Sequence, residues 1–307
     1  PGLLFVEGGS YTMGRVEQDV MYEWDNIPRR QTVSSFYLDE TEVSNLDYLE
    51  YLFWIRRVYD MSYPEVYKKS LPDTLVWRDK LGYNEPFVDQ YLRHPAYKNY
   101  PVVGISWQQA TDYCAWRTDR VNERILIDAC IIKENMEQVD EDVFTTQAYL
   151  TGQYEGIVIE APKNLTNKNY GSGEDTRIVR MEDGLILPNY RLPTEAEWEY
   201  LATGGISRAR FYGLTLVDIC HFGNVYDQTA EMTLEYGLES IPCDDHFDFS
   251  APVGSLKPNQ FGVYDTLGNV WEWTEDCQAI LWRSGPTDGS ARIDGHCSQR
   301  AYRGSSW

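Results

Sequence analysis

The chain has 307 residues, 42% of them hydrophobic, and carries a net charge of -21 with a pI near 4.5. No cationic surplus is available to meet phosphates, which excludes direct nucleic-acid binding and disfavours a bare anionic lipid surface, while cations and basic protein partners are favoured. No run approaches 18 apolar residues, so nothing in the sequence predicts a membrane-spanning helix.

Residues 1–40 read as short strands and turns, with Gly8-Gly9 as a hairpin or bulge signal. Ser44 precedes Leu46, Tyr48, Leu49, Leu52, Phe53 and Ile55 at helical spacing and is the expected N-cap. Residues 60–100 form a tyrosine-rich excursion, in which His94 before Pro95 reads as a turn residue. Ser106 is expected to cap a second helix running to about Glu123. Residues 125–188 hold acidic and polar runs and read as a surface insertion, of a length that tends to be functional or mobile. A third helix should begin after Thr194, where Thr194 and Glu197 fit a capping box. Glu195 and Glu199 are expected to be solvated or paired with arginines.

Aromatics make up 14% of the chain, large anchors with polar tips that suit a fold poor in regular structure. The six cysteines, Cys114, Cys130, Cys220, Cys243, Cys277 and Cys297, form no CxxC pair, so zinc is weakly supported. At most a pair or two should be bridged, with Cys114 buried on a helix. The chain opens on Pro, so it is expected to be processed or trimmed, and any leader or lipid-attachment cysteine would lie upstream.

Asn259-Gln260-Phe261-Gly262-Val263-Tyr264-Asp265-Thr266-Leu267-Gly268-Asn269-Val270-Trp271-Glu272-Trp273 fits neither helix nor strand periodicity and predicts an irregular, side-chain-stapled loop. Asp265 and Glu272 lie seven residues apart, and carbonyls freed by the turn at Gly268-Asn269-Val270 could join them. Such a set suits a hard cation such as calcium, which takes six to eight oxygens in flexible geometry. An ordinary turn with two solvated acids is the alternative reading.

This loop resembles the signature of the formylglycine-generating-enzyme (sulfatase-modifying factor) fold, itself related to C-type lectins. Other segments match in order: Leu4-Phe5-Val6-Glu7-Gly8-Gly9-Ser10-Tyr11-Thr12-Met13-Gly14, Phe36-Tyr37-Leu38-Asp39-Glu40-Thr41-Glu42-Val43-Ser44-Asn45, Tyr100-Pro101-Val102-Val103-Gly104-Ile105-Ser106-Trp107, Arg191-Leu192-Pro193-Thr194-Glu195-Ala196-Glu197-Trp198 and Arg303-Gly304-Ser305-Ser306-Trp307. The resemblance implies an α+β fold with little regular secondary structure, built as one domain over 1–307 with an insertion at about 125–188.

It also implies two structural calcium sites. The first maps onto Asn224 and the Val225 carbonyl with Asp245 and the Phe247 carbonyl. The second maps onto Asp265, the Gly268 and Val270 carbonyls and Glu272. Catalysis is where the match fails. The family's enzymes oxidise a substrate cysteine with copper held by two cysteines that follow the closing motif; both positions lie beyond Trp307, two cysteines there would favour the enzyme, and Cys277 and Cys297 precede the motif. His94, His221, His246 and His296 are scattered and form no ligand triad.

Asp39-Glu40-Thr41-Glu42-Val43-Ser44-Asn45, Leu71-Pro72-Asp73-Thr74-Leu75-Val76-Trp77-Arg78, Tyr91-Leu92-Arg93-His94-Pro95-Ala96-Tyr97 and Trp116-Arg117-Thr118-Asp119-Arg120-Val121-Asn122-Glu123 look like one branch, the gliding-motility lipoproteins GldJ and GldK (PorK), with GldJ the closer. That resemblance implies a non-enzymatic scaffold of the type IX secretion and gliding machinery. It would be lipid-anchored at the periplasmic face of the outer membrane, with GldK/PorK- and GldN/PorN-like ring components as partners. The competing expectations are a copper oxidase of the formylglycine-generating type acting on a protein cysteine, and a lectin-like binding module.

Overall fold

The computed structural model describes residues 2–14, 27–78, 83–154, 178–205, 216–234, 238–278, 285–293 and 297–306. They divide into two compact units. One comprises 1–47, 73–107 and 192–307, and the other 48–72 and 108–191. The division takes in more than the expected insertion at about 125–188, because 48–72 and 108–124 fall in the same unit as it. Among the described residues no helix is long and apolar enough to cross a membrane.

The first unit opens on four strands, β1 (Leu3–Val6), β2 (Gly9–Met13), β3 (Arg29–Val33) and β4 (Phe36–Asp39). Gly8-Gly9 does not turn a hairpin: β1 pairs antiparallel with β4 and β2 with β3. The chain instead bends at Gly8, where a Cβ would meet the Val33 carbonyl at 2.4 Å. Alternation along β2 and β3 buries Tyr11, Met13, Gln31 and Val33. Tyr11, Met13, Val33 and Val6 form a core with Ala196, Tyr200, Leu201 and Val263.

Helix α1 (Asn45–Tyr59) starts at the predicted cap. Asp47 donates its backbone N–H to Ser44 Oγ at 3.2 Å, and its carboxylate accepts the Ser44 N–H at 3.1 Å. Past α2 (Pro64–Ser70), the excursion packs Trp77, Val88 and Tyr91 with Phe249 around α3 (Glu85–Gln90). His94 serves as the turn residue expected, its Nδ1 accepting the Ala96 N–H at 3.2 Å.

Helix α4 (Trp107–Asp128) runs five residues past the expected end. In the second unit, Tyr48, Tyr51, Tyr113 and Trp116 pack ring against ring. The expected surface insertion has a core of its own: Leu126, Ile131, Ile132, Phe144, Tyr149 of α5 (Thr146–Leu150), Val179 and Ile186. Leu126, Phe144 and Val179 are completely buried, each worth about 1.5–3 kcal/mol relative to exposure. The polar runs between 155 and 177 lie outside the described residues.

Back in the first unit, α6 (Glu195–Ala202) has the reciprocal cap predicted for it: Thr194 Oγ1 accepts the Glu197 N–H at 3.1 Å and Glu197 Oε2 accepts the Thr194 N–H at 2.8 Å. Glu195 and Glu199 are not solvated. Both face Arg303, at 2.8 and 3.7 Å. Helix α7 (Gln228–Leu234) and the pair β5 (Glu272–Cys277) and β6 (Arg300–Arg303) complete the described elements. The signature loop is irregular as far as Trp271 and becomes strand only at Glu272. Two disulfides stand in this unit, Cys220–Cys243 and Cys277–Cys297. Outside the disulfides, Cys114 is half-buried on α4, less enclosed than expected, and Cys130 is exposed.

Candidate metal centre

The signature loop is shaped by left-handed residues: Gly262, Asp265, Gly268 and Asn269 have φ of +83°, +57°, +69° and +60°. Asp and Asn tolerate this region better than other side-chain-bearing residues do. At Gly268 there is no latitude, because a Cβ would lie 1.7 Å from the Asn224 carbonyl oxygen. The turn is clamped in place. Gly268 donates its N–H to the Gly304 carbonyl at 2.8 Å, and Asn269 donates its own to the Asn224 carbonyl at 2.8 Å.

Around this turn stand three acids. Asp265 is 4% exposed and accepts the Gly254 N–H at 2.8 Å. Glu272 opens β5, and its carboxylate accepts a hydrogen bond from the Trp198 side chain. Glu42, which follows β4, accepts from Asn269 Nδ2 at 2.6 Å and from the Val270 N–H at 3.2 Å. The environment opposes their ionisation. Burial, then the charges of Asp265 and Glu272, hold Glu42 well above the usual carboxylate range. Burial pushes Glu272 up to about 8, with the Trp198 hydrogen bond opposing and Asp265 adding to the rise. Burial lifts Asp265 to about 6 against the opposing Gly254 N–H.

Three acids at one turn, Asp265 buried and Glu42 and Glu272 half-buried, with Asp265 raising both of the others, are costly as anions unless a cation joins them. Glycine at position 304, with φ +107°, keeps the approach open, since even a Cβ there would stand only 3.2 Å from the Val270 carbonyl oxygen and 3.7 Å from Glu272 Oε1. Glu42 thus stands beside the predicted set of Asp265, the Gly268 and Val270 carbonyls and Glu272. Gly268 shapes the turn between them. Glu42 sits in a quoted sequence motif, but nothing in its local spacing ties it to a loop more than 200 residues later.

In the first predicted set, Asn224 is 1% exposed, and its Oδ1 is buried with no hydrogen-bond partner in the protein. Its Nδ2 donates to the Phe249 carbonyl at 2.7 Å and to Asn269 Oδ1 at 3.1 Å, which fixes where the oxygen points. Asp245 accepts the Val225 N–H at 2.9 Å and the Phe247 N–H at 3.0 Å, which ties it to the two residues whose carbonyls the resemblance assigned. Burial raises Asp245 to about 6 against those two N–H groups, with Asp227 and Asp244 adding to the rise. Asp227 is completely buried. Its carboxylate accepts the Asp245 N–H at 2.6 Å and caps α7 through the Ala230 N–H at 2.9 Å. The sequence reading missed it, although Asp followed three residues later by a helical Ala is a cap signal.

An orphaned buried amide oxygen on Asn224, next in the chain to the Val225 whose N–H Asp245 accepts, and three acids around one turn, both suit a hard cation bound through oxygen. Cys220 also lies near Asp227 and Asp245, but it is disulfide-bonded and has no thiolate to offer.

Comparison with known proteins gives one consistent result. The family model described as "Sulfatase-modifying factor enzyme 1-like domain" matches residues 1–307. The mouse "Formylglycine-generating enzyme" is 24% identical over 94% of this chain and 63% of its own length. The chain therefore spans under two thirds of that relative. The mouse "Inactive C-alpha-formylglycine-generating enzyme 2" is 23% identical over 89% of this chain and 68% of its own length. Among solved structures, PvdO from Pseudomonas aeruginosa superposes with a TM-score of 0.53 at 20% identity, covering 99% of this chain and 82% of that one. Relatives thus include both named enzymes and a named inactive paralogue.

Proposed function

The chain belongs to the sulfatase-modifying factor family, and on that footing we propose that it is a non-enzymatic scaffold whose late loops are stapled by two structural calcium ions. Asn224, Asp245 and the Val225 and Phe247 carbonyls would hold one ion. Asp265, Glu272 and the Gly268 and Val270 carbonyls, with Glu42 beside them, would hold the other. Calcium supplies charge and coordination there, not a reacting centre. The residues of this chain do the rest: Asn269 and Gly268 shape the turn, and Asp227 positions Asp245.

The observation that carries the scaffold reading is where the sulfur is used. Four of the six cysteines are joined as Cys220–Cys243 and Cys277–Cys297. The two outside the disulfides, Cys114 and Cys130, are half-buried on α4 and exposed just beyond it, and they belong to the other unit. Copper oxidase chemistry needs a pair of thiolates at one site; the family's two positions lie beyond Trp307, and two cysteines there would favour the oxidase. The motifs shared with GldJ and GldK support a narrower assignment: a lipid-anchored component of the type IX secretion and gliding machinery on the periplasmic side of the outer membrane, docking to ring components of the GldK/PorK and GldN/PorN kinds.

The test is co-purification of the tagged full-length protein from detergent-solubilised outer membrane of its own host. Recovery of secretion-ring components supports the scaffold. A clean monomer that oxidises a cysteine-containing peptide in a copper-dependent way replaces this reading with the oxidase.

A further inference from the structure

One residue outside both cation sets bridges them by hydrogen bonds, and from that we propose that they bind cooperatively, with Asn269 as the coupling element. This inference rests on the metal reading above and concerns how the sites communicate.

Asn269 is 1% exposed and uses both ends of its side chain. Toward the first set, Oδ1 accepts from Asn224 Nδ2 at 3.1 Å and from the Ala251 N–H at 2.8 Å. Toward the second, Nδ2 donates to Glu42 Oε2 at 2.6 Å, and to the Ala251 carbonyl at 3.3 Å. Its backbone N–H is tied to the Asn224 carbonyl at 2.8 Å. One side chain therefore spans from a presumptive ligand of the first ion to an acid of the second.

Two effects follow from this arrangement. A cation on Asn224 Oδ1 draws electron density from that amide and makes Nδ2 a stronger donor to Asn269 Oδ1. The Asn269 amide is polarised in turn, and its Nδ2 binds Glu42 more tightly, because chains of hydrogen bonds reinforce one another in a low-dielectric interior. Independently, either ion orders the same turn. The Asn224 carbonyl pins Asn269, and Asn269 sits between Gly268 and Val270, whose carbonyls belong to the second set. The first ion to bind meets part of the ordering cost, so the second meets less of it. Repulsion between two dications opposes both effects, and the sign of the coupling reports which prevails. Linkage requires the coupling to be equal in both directions.

The test is a double-mutant cycle on the full chain, read by terbium luminescence with calcium as competitor. Trp198, bonded to Glu272, is the sensitiser for an ion in the second set. Asp245→Asn disables the first set. In the otherwise unmodified chain it should weaken the second site by at least about fivefold, the lower end of typical coupling. Asn269→Gly removes the bridging side chain while keeping the left-handed backbone favourable and the backbone bond to Asn224, and in that background the loss caused by Asp245→Asn should be at least about twofold smaller than in the unmodified chain. Equal losses in both backgrounds, no loss in either, or tighter second-site binding after Asp245→Asn each overturn the coupling. Should Asn269→Gly fail to fold, calorimetric calcium titration of the unmodified chain decides: a Hill coefficient above one supports the proposal, and two independent sites reject it. Absence of any terbium or calcium binding defeats the metal reading itself, whereas uncoupled binding defeats this inference alone.

Discussion

Asn269 and Glu42, 227 residues apart in the chain, meet at 2.6 Å, amide nitrogen to carboxylate oxygen. This bond brings a third acid to a loop that already holds Asp265 and Glu272. It gathers three acids whose ionisation burial opposes, and the proposed calcium site rests on that grouping.

Calcium should therefore protect the fold. At a hundredfold excess over Kd a single site adds about 2.7 kcal/mol, several degrees of melting temperature for a chain this size. Asp265→Asn and Glu272→Gln should each abolish most of that shift, and Glu42→Gln should reduce it. Differential scanning calorimetry with calcium and with chelator measures it. Superimposable curves, together with elemental analysis showing no bound metal, would sink the idea.

Stability without cation should fall as pH rises. Asp245 and Asp265 are held up to about 6 and Glu272 up to about 8, above ordinary values of 3.8 and 4.5. Across that window the folded state binds more protons than the unfolded one, so the slope of unfolding free energy with pH is negative. The melting temperature of the chelated protein should drop between about pH 5 and pH 8. The shift produced by calcium should grow over the same range, since the ion needs the deprotonated oxygens. A chelated protein whose stability increases across this range contradicts the burial argument.

Gly268→Ala should be among the most damaging single changes. The added Cβ would sit 1.7 Å from the Asn224 carbonyl oxygen, on a backbone with φ of +69°. The cost should exceed the ~1 kcal/mol of a left-handed alanine by several-fold, because backbone must move as well. Urea denaturation gives the value, and a loss under about 1 kcal/mol would show that the clasp is loose.

Thr194→Ala should cost about 1–2 kcal/mol, at the upper end for a cap because the site is buried. The hydroxyl also donates to the Gly289 carbonyl at 2.8 Å, which would then lose its partner. Thr194→Ser should recover most of the loss in the same denaturation assay. Failure of serine to rescue would assign the effect to the lost methyl group.

Replacing Cys220 and Cys243 together by serine should cost about 3 kcal/mol on loop-closure grounds, for a sequence separation of 23. The melting temperature of the double variant, compared with that of the parent under reducing conditions, separates loss of the crosslink from loss of packing.

Local chemistry was legible from the sequence, and long-range chemistry was not. Ser44 with Asp47, Thr194 with Glu197, and His94 with Ala96 act across two or three residues, so the chain carries each pair wherever it folds. The irregular signature loop was readable for the same reason, since left-handed turns favour Gly, Asn and Asp, and those residue types are visible in a string. The paired ligand sets came from a resemblance, and calcium titration is what tests them. Glu42, the Asn224–Asn269 bond, the pairing of Arg303 with Glu195 and Glu199, and the separate core of the presumed insertion depend on segments that meet only after folding. Residue types and spacing determine which turns and caps can form. Only tertiary structure decides which acids share an interior, because burial and mutual repulsion are properties of a place in space and have no counterpart along the chain.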